Sequence, residues 1–119
     1  MTRETVAVGS YGERRAVAHL VEQGMVVLAR NWRCRAGEVD IIARDGSAIV
    51  FCEVKTRRGL WFGSPVEAVG WDKAGRLRRL AAEWLAASGI HAPEVRFDVV
   101  SVLPQRRGAA RVEHLRDAF

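Results

Sequence analysis

Lysine is nearly absent from a chain otherwise rich in positive charge: of 19 Lys and Arg residues, only Lys55 and Lys73 are lysine. Where arginine does almost all the cationic work, a lysine that persists marks a place where a compact ammonium is wanted. Cysteine is equally scarce. Cys34 and Cys52 form no CxxC pair and have no His partner at metal-ligand spacing, which excludes a disulfide framework and a zinc site and predicts reduced thiols in a cytoplasmic protein. The three histidines, His19, His91 and His114, are scattered along the chain and suggest neither a zinc centre nor a His-activated nucleophile. With only three prolines and no low-complexity segment, no linker divides the chain, and residues 1–119 are expected to form one domain. No apolar run reaches the roughly 18 residues of a membrane span. The opening MTRETVAVGS carries acid and no apolar segment, so no secretory signal is expected there.

What is present is an ordinary globular composition, 49% hydrophobic and 28% charged, with a net charge of +5. That balance and a pI near 10.2 favour an anionic partner such as nucleic acid. Ser10–Gly24 reads as a helix with Ala16, Val17 and Leu20 inward, Glu13 on the same face, and Arg14, Arg15, His19 and Glu22 solvated. Residues 25–32 read as a first strand. "EVDIIA" and "AIVFCEVK" read as two more, joined at Asp45-Gly46 by a two-residue hairpin turn. Ser64-Pro65-Val66-Glu67 is a helix-start signature, and Gly70 interrupts before a longer helix over 72–87 with Leu77, Leu80, Ala81, Trp84 and Leu85 inward. "EVRFDVVSVL" reads as a strand and "RVEHL" as a short edge strand. The order α-β-β-β-α-β-β predicts an α/β sandwich around a mixed sheet.

The hairpin contains an anomaly. Pairing outward from Asp45-Gly46 sets Ile42 opposite Ile49, Asp40 opposite Phe51 and Glu38 opposite Glu53. Glu38, Asp40, Glu53 and Lys55 then share one face far from the turn, while Val39, Ile41, Val50, Cys52 and Val54 share the other. Carboxylates about 4 Å apart repel by ~4 kcal/mol at an effective dielectric of 20, and crowding of this kind disfavours their ionised forms. Either a surface ion-pair network or a divalent cation with oxygen ligands accounts for the cluster. Mg²⁺ or Mn²⁺ suits the second case, since such a cation takes one or two carboxylates and leaves positions for water and phosphate. Lys55 would then orient the attacking water or stabilise charge building on phosphorus.

Asp40, twelve intervening residues, then Glu53-Val54-Lys55 resembles the PD-(D/E)xK signature of metal-dependent nucleases, with Val39 where the motif's proline would stand. The wider text, "YGERRAVAHLVEQGMVVLARNWRCRAGEVDIIA", "VFCEVKTRRGLWFGSPVEAV" and "RFDVVSV", resembles the YraN family of small bacterial proteins over nearly the whole chain. The resemblance implies the restriction-endonuclease-like fold and similarity to archaeal Holliday-junction resolvases. It implies metal ligation by Asp40, Glu53 and the main-chain carbonyl of Val54, a catalytic Lys55, and Glu13 as an acid supplied from the first helix. Glu38 belongs to the family's "GE-D" pattern as a ligand, a supporting partner or a salt bridge to an Arg.

Arg57, Arg58, Lys73, Arg76 and Arg79 are candidate phosphate contacts, with solvated surface charge as the plainer reading. Trp61 either stacks on an unpaired base or folds onto the core. Asp98, on an apolar strand, is expected to pair with an Arg and not to bind metal. The expected activity is metal-dependent hydrolysis of nucleic-acid phosphodiesters, DNA before RNA, in repair or recombination. The alternative is a non-catalytic nucleic-acid-binding or adaptor module of the same fold. No membrane partner is expected, and monomer and homodimer both remain open.

Overall fold

A computed structural model describes residues 3–56 and 71–118, with side chains described for 10–56 and 74–118. Helix α1 spans Arg3–Glu22, and β1 (Val26–Cys34), β2 (Gly37–Asp45) and β3 (Ala48–Thr56) follow. Helix α2 (Trp71–Ser88) then leads to β4 (Glu94–Leu103) and β5 (Arg111–Leu115). The expected order of elements is borne out. The strands lie in the order β1-β2-β3-β4-β5, antiparallel except for the β3–β4 pair. That one parallel pair needs a long crossover, and α2 lies within it.

Among the described residues, each face of the sheet is covered by one helix. Ala16, Leu20 and Met25 pack with Ile41, Ala43, Val50, Cys52, Val100 and Val102 on the α1 side. Leu77, Leu80, Ala81 and Trp84 pack on Val39, Ile42, Ile49 and Phe51 on the α2 side, matching the inward face expected of that helix. A strand buried on both faces loses the alternation of a half-exposed one, and β3 is buried from Ala48 through Glu53.

Three boundaries differ from expectation. Helix α1 begins seven residues before Ser10, running through Gly9; one glycine in a helix costs only about 1 kcal/mol, too little to stop propagation. It ends as expected near Gly24, whose φ of 90° sits in a cap where the Gly24 and Met25 amides donate to the Val21 and Leu20 carbonyls. Strand β1 runs on to Cys34, with a bulge between Val27 and Ala29. The β2–β3 turn is Gly46-Ser47, not Asp45-Gly46: Asp45 pairs with Ala48, and Gly46 takes a φ of 60°. Gly belongs at the first loop position of a II′ turn, and the carboxylate of Asp45 is committed to Arg96 at 2.9 Å. The register moves by two residues, so the acids keep their expected face; Val39 does not keep its own, packing on the α2 side with Ile42 and Phe51 while Ile41, Val50 and Cys52 pack on the α1 side. The helix start at Ser64–Glu67 and the Gly70 interruption lie outside the described residues.

His19 is not solvated. Its Nε2 lies 3.0 Å from His114 Nδ1, and His114 Nε2 lies 2.7 Å from Asp98 Oδ2. Asp98 is fully buried and also accepts two hydrogen bonds from Arg96 and one from the Asp117 amide, so it pairs with an Arg as expected. Burial alone would raise its pKa, but the bonds from His114, Arg96 and Asp117 outweigh it and hold the carboxyl below its ordinary value. Burial, then the neighbouring His114, lower the pKa of His19. The chain α1–β5–β4 thus ties the first helix to the sheet through groups that spacing along the sequence gives no reason to join.

A histidine whose folded pKa is depressed loses native stability as pH falls from its unfolded value near 6.5 through the folded one. His19→Gln keeps an amide donor toward His114 and removes that titration. The melting temperature of His19→Gln minus that of wild type should therefore become more positive between pH 7 and pH 5. A difference that stays flat across that range would show that His19 does not titrate in the fold.

Candidate metal centre

The β2–β3 pairing runs only as far as Ile41 opposite Cys52. Beyond it, β3 continues to pair with β4 through Thr56, and β2 pairs with β1 back to Gly37. In the notch between them the Val54 N–H donates to Asp40 Oδ2 at 2.8 Å, a side chain taking the place of a ladder partner. Continuing the register by one step sets Asp40 across from Glu53, closer than the diagonal relation expected from the sequence. Glu38, Asp40 and Glu53 line a cavity of about 190 Å³ roofed by Arg76, Leu77 and Leu80 of α2. That volume equals roughly six water molecules.

The three hairpin acids and Lys55 therefore come together. Glu53 is buried, with 5% of its surface exposed, and Lys55 Nζ lies 3.3 Å from its Oε1. Of the roles open to Glu38, the structure shows one: an ion pair with Arg33 at 3.4 Å, on a carboxylate that also lines the cavity. Gly12 lets α1 approach the end of β3, because the Thr56 side chain fills the space a Cβ would need. Glu13 is half-buried as expected but turns to β1, accepting a hydrogen bond from Asn31 Nδ2 at 3.2 Å with Arg30 at 3.9 Å. It stands near enough to Asp40 to add to the repulsion there without lining the cavity.

Burial first, and the Glu53 carboxylate second, push the pKa of Asp40 up to about 7, with smaller contributions from Glu13 and Glu38; the Val54 amide works against them and loses. The expected crowding is thus real at Asp40. Among the described residues, no three His, Cys, Asp or Glu side chains form a ready metal cage. A cation here would be held by Asp40 and Glu53, with water and phosphate completing its shell, as suits Mg²⁺ better than zinc. Two carboxylates on one cavity, with the ionised form of Asp40 disfavoured by burial and by Glu53, are the observation that makes the donors fit. Val54 presents its amide to Asp40 at the site.

Of the phosphate contacts expected on α2, Arg76 and Arg79 are both exposed, and of the two only Arg76 lines the cavity. Arg57, Arg58, Trp61 and the side chain of Lys73 lie outside the described residues. Cys34 and Cys52 are free thiols: Cys52 is buried, and Cys34 donates to Glu83 Oε2 at 2.6 Å. No described helix is long and apolar enough to cross a membrane.

This arrangement, a carboxylate-lined notch in a mixed sheet between two helices, falls in a chain whose residues 12–102 match the model of the Uncharacterised protein family UPF0102. The chain belongs to that family, the YraN family its sequence resembles. Similar relatives include UPF0102 proteins of Kineococcus radiotolerans, 58% identical over 92% of this chain and 90% of the relative, and Beutenbergia cavernae, 61% identical over 92% and 93%. Another, from Streptomyces griseus, is 60% identical over 92% of this chain and 93% of its own length.

For an acid with a raised folded pKa, protonation stabilises the native state at low pH, and that stabilisation is lost as pH rises through about 7. Asparagine at position 40 can still accept from the Val54 amide. Near neutral pH in chelator, Asp40→Asn should therefore melt at or above wild type. Mg²⁺ or Mn²⁺ at a hundred times its dissociation constant should stabilise wild type by roughly 2.7 kcal/mol and the variant far less. A variant that melts lower in chelator, with no metal effect on either protein, would identify a salt-bridge network instead.

Proposed function

We propose that this protein is a metal-dependent nuclease of the PD-(D/E)xK type, hydrolysing phosphodiester bonds in DNA and related to the Holliday-junction resolvases. One observation carries the reading: Asp40 and Glu53, acids from adjacent strands, line one cavity beside Lys55, where burial and the Glu53 carboxylate disfavour the ionised form of Asp40. The basic balance of the chain supplies the long-range attraction for a polyanion.

In this reading Asp40 and Glu53 would hold Mg²⁺ or Mn²⁺, which would supply Lewis-acid charge at the phosphate. The ammonium of Lys55, held beside Glu53, orients the attacking water and offsets negative charge building on the phosphate oxygens. Leu77 and Leu80 exclude bulk water from one wall, which strengthens each of these interactions. Glu13 adds a fourth carboxylate at the edge of the site, suited to fixing a water. The fold alone serves a non-catalytic adaptor as well, so the separation of the two readings rests on turnover.

Purified protein should cut a panel of branched, flap, single-stranded and duplex DNA only with Mn²⁺ or Mg²⁺ present. Asp40→Ala, Glu53→Ala and Lys55→Ala should each lower the rate by at least a hundredfold, while circular dichroism shows the fold intact. Three variants that cut as fast as wild type would place any activity elsewhere, and a wild type inert on every substrate would leave the adaptor.

A further inference from the structure

A second hollow opens beside the carboxylate cavity. It is about 330 Å³, lined by Arg33, Cys34, Gly37 and Glu38, and it shares Glu38 with the first. Gly37 lies between them. Its φ of 140° is one a side chain rarely adopts, and the Cδ of Arg76 lies 3.3 Å from where a Cβ would sit. The bare backbone of Gly37 therefore seats the stem of Arg76, and its lack of a side chain leaves the floor low where the hollows meet.

The two arginines beside this floor differ from one another. Arg76 lines a cavity with three carboxylates but is itself exposed to solvent, and no hydrogen bond or ion pair joins it to another described residue. Arg33 pairs with Glu38, but its side chain is 77% exposed, and an exposed pair of this kind contributes little and is readily exchanged for a better anion. A guanidinium held at an acidic cavity without closing on the acids is available to an incoming anion that the acids alone would repel.

We propose that Arg76, Gly37 and Arg33 form a track for the sugar-phosphate backbone of a nucleic-acid strand, which enters the carboxylate cavity at Arg76 and leaves over Gly37 past Arg33. The proposal rests on the nuclease reading for the direction of the strand, and on the two hollows and their arginines for its path. With room for roughly six waters, the inner cavity suits a phosphate and a hydrated cation. The track reads phosphates and carries no base discrimination, so binding along it is independent of sequence.

The probe is a fluorescein-labelled DNA flap bearing duplex and single-stranded arms, titrated by anisotropy in chelator over a salt series. The full chain is compared with the pair Arg33→Gln/Arg76→Gln and with the pair Arg106→Gln/Arg107→Gln, exposed residues between β4 and β5 that remove the same charge. The first pair should weaken binding about tenfold or more and flatten the slope of log K against log salt by about 1.4–1.8. The second should change affinity less than threefold. Equal losses in both pairs, no loss in the first, or no binding by wild type at low salt would overturn the track. A parallel cleavage assay with Mn²⁺, including Asp40→Asn, separates the two ideas. If wild type cuts, Asp40→Asn does not, and the first pair binds normally, the nuclease stands and the track falls. If the first pair alone loses binding and wild type never cuts, the track stands and the nuclease falls.

Discussion

The burial of Asp40 beside the Glu53 carboxylate is the constraint that the rest of the sheet accommodates. Burial under α2 first, and the neighbouring Glu53 carboxylate second, disfavour the ionised form of Asp40, and the burden appears as a pKa of about 7. Nothing in the hairpin requires it. An apolar pair at the same positions would extend the core that Ile42, Ile49 and Phe51 already form beneath α2. A fold that keeps such a pair carries a cost, which the proposed cation would offset.

The surrounding structure holds that strain in place. Strand β3 is locked on both sides: β4 pairs with it along its whole length, and β2 pairs with it up to Ile41–Cys52. Where β2 leaves, the Val54 amide fixes the Asp40 carboxylate, so the acid cannot swing out to solvent without losing a hydrogen bond. On the other side of the sheet, the contact of Gly12 with Thr56 and the chain from His19 through His114 to Asp98 hold α1 and its Glu13 against the strands. This second polar cluster is fully satisfied, and its carboxyl is held low; the first is not, and its carboxyl is driven up. Two acids of one small domain, Asp98 fully buried and Asp40 half-buried, thus meet opposite environments, which separates a structural role for Asp98 from the role of Asp40.

Much of this was legible in the sequence because it depends on period and parity. The acids fall on one face whether the hairpin turns at Asp45-Gly46 or at Gly46-Ser47, since the two registers differ by two residues. The inward face of α2 follows from the spacing of Leu77, Leu80, Ala81 and Trp84, and β4 and β5 occupy the expected segments. What was illegible depends on long-range geometry. His19 and His114 lie 95 residues apart and meet only because α1 packs across the end of the sheet that holds β5. Arg76 separates from Arg79 only once the tilt of α2 over Gly37 is known, and no helical period contains that.

The most direct test of this account is the titration of Asp40 itself, followed by carbon-13 NMR of its carboxyl group with and without Mg²⁺. Without divalent cation the midpoint should lie near pH 7, and saturating Mg²⁺ should move it down by several units as the cation takes up the excess charge. A midpoint near the ordinary carboxylate range, unchanged by Mg²⁺, would contradict it.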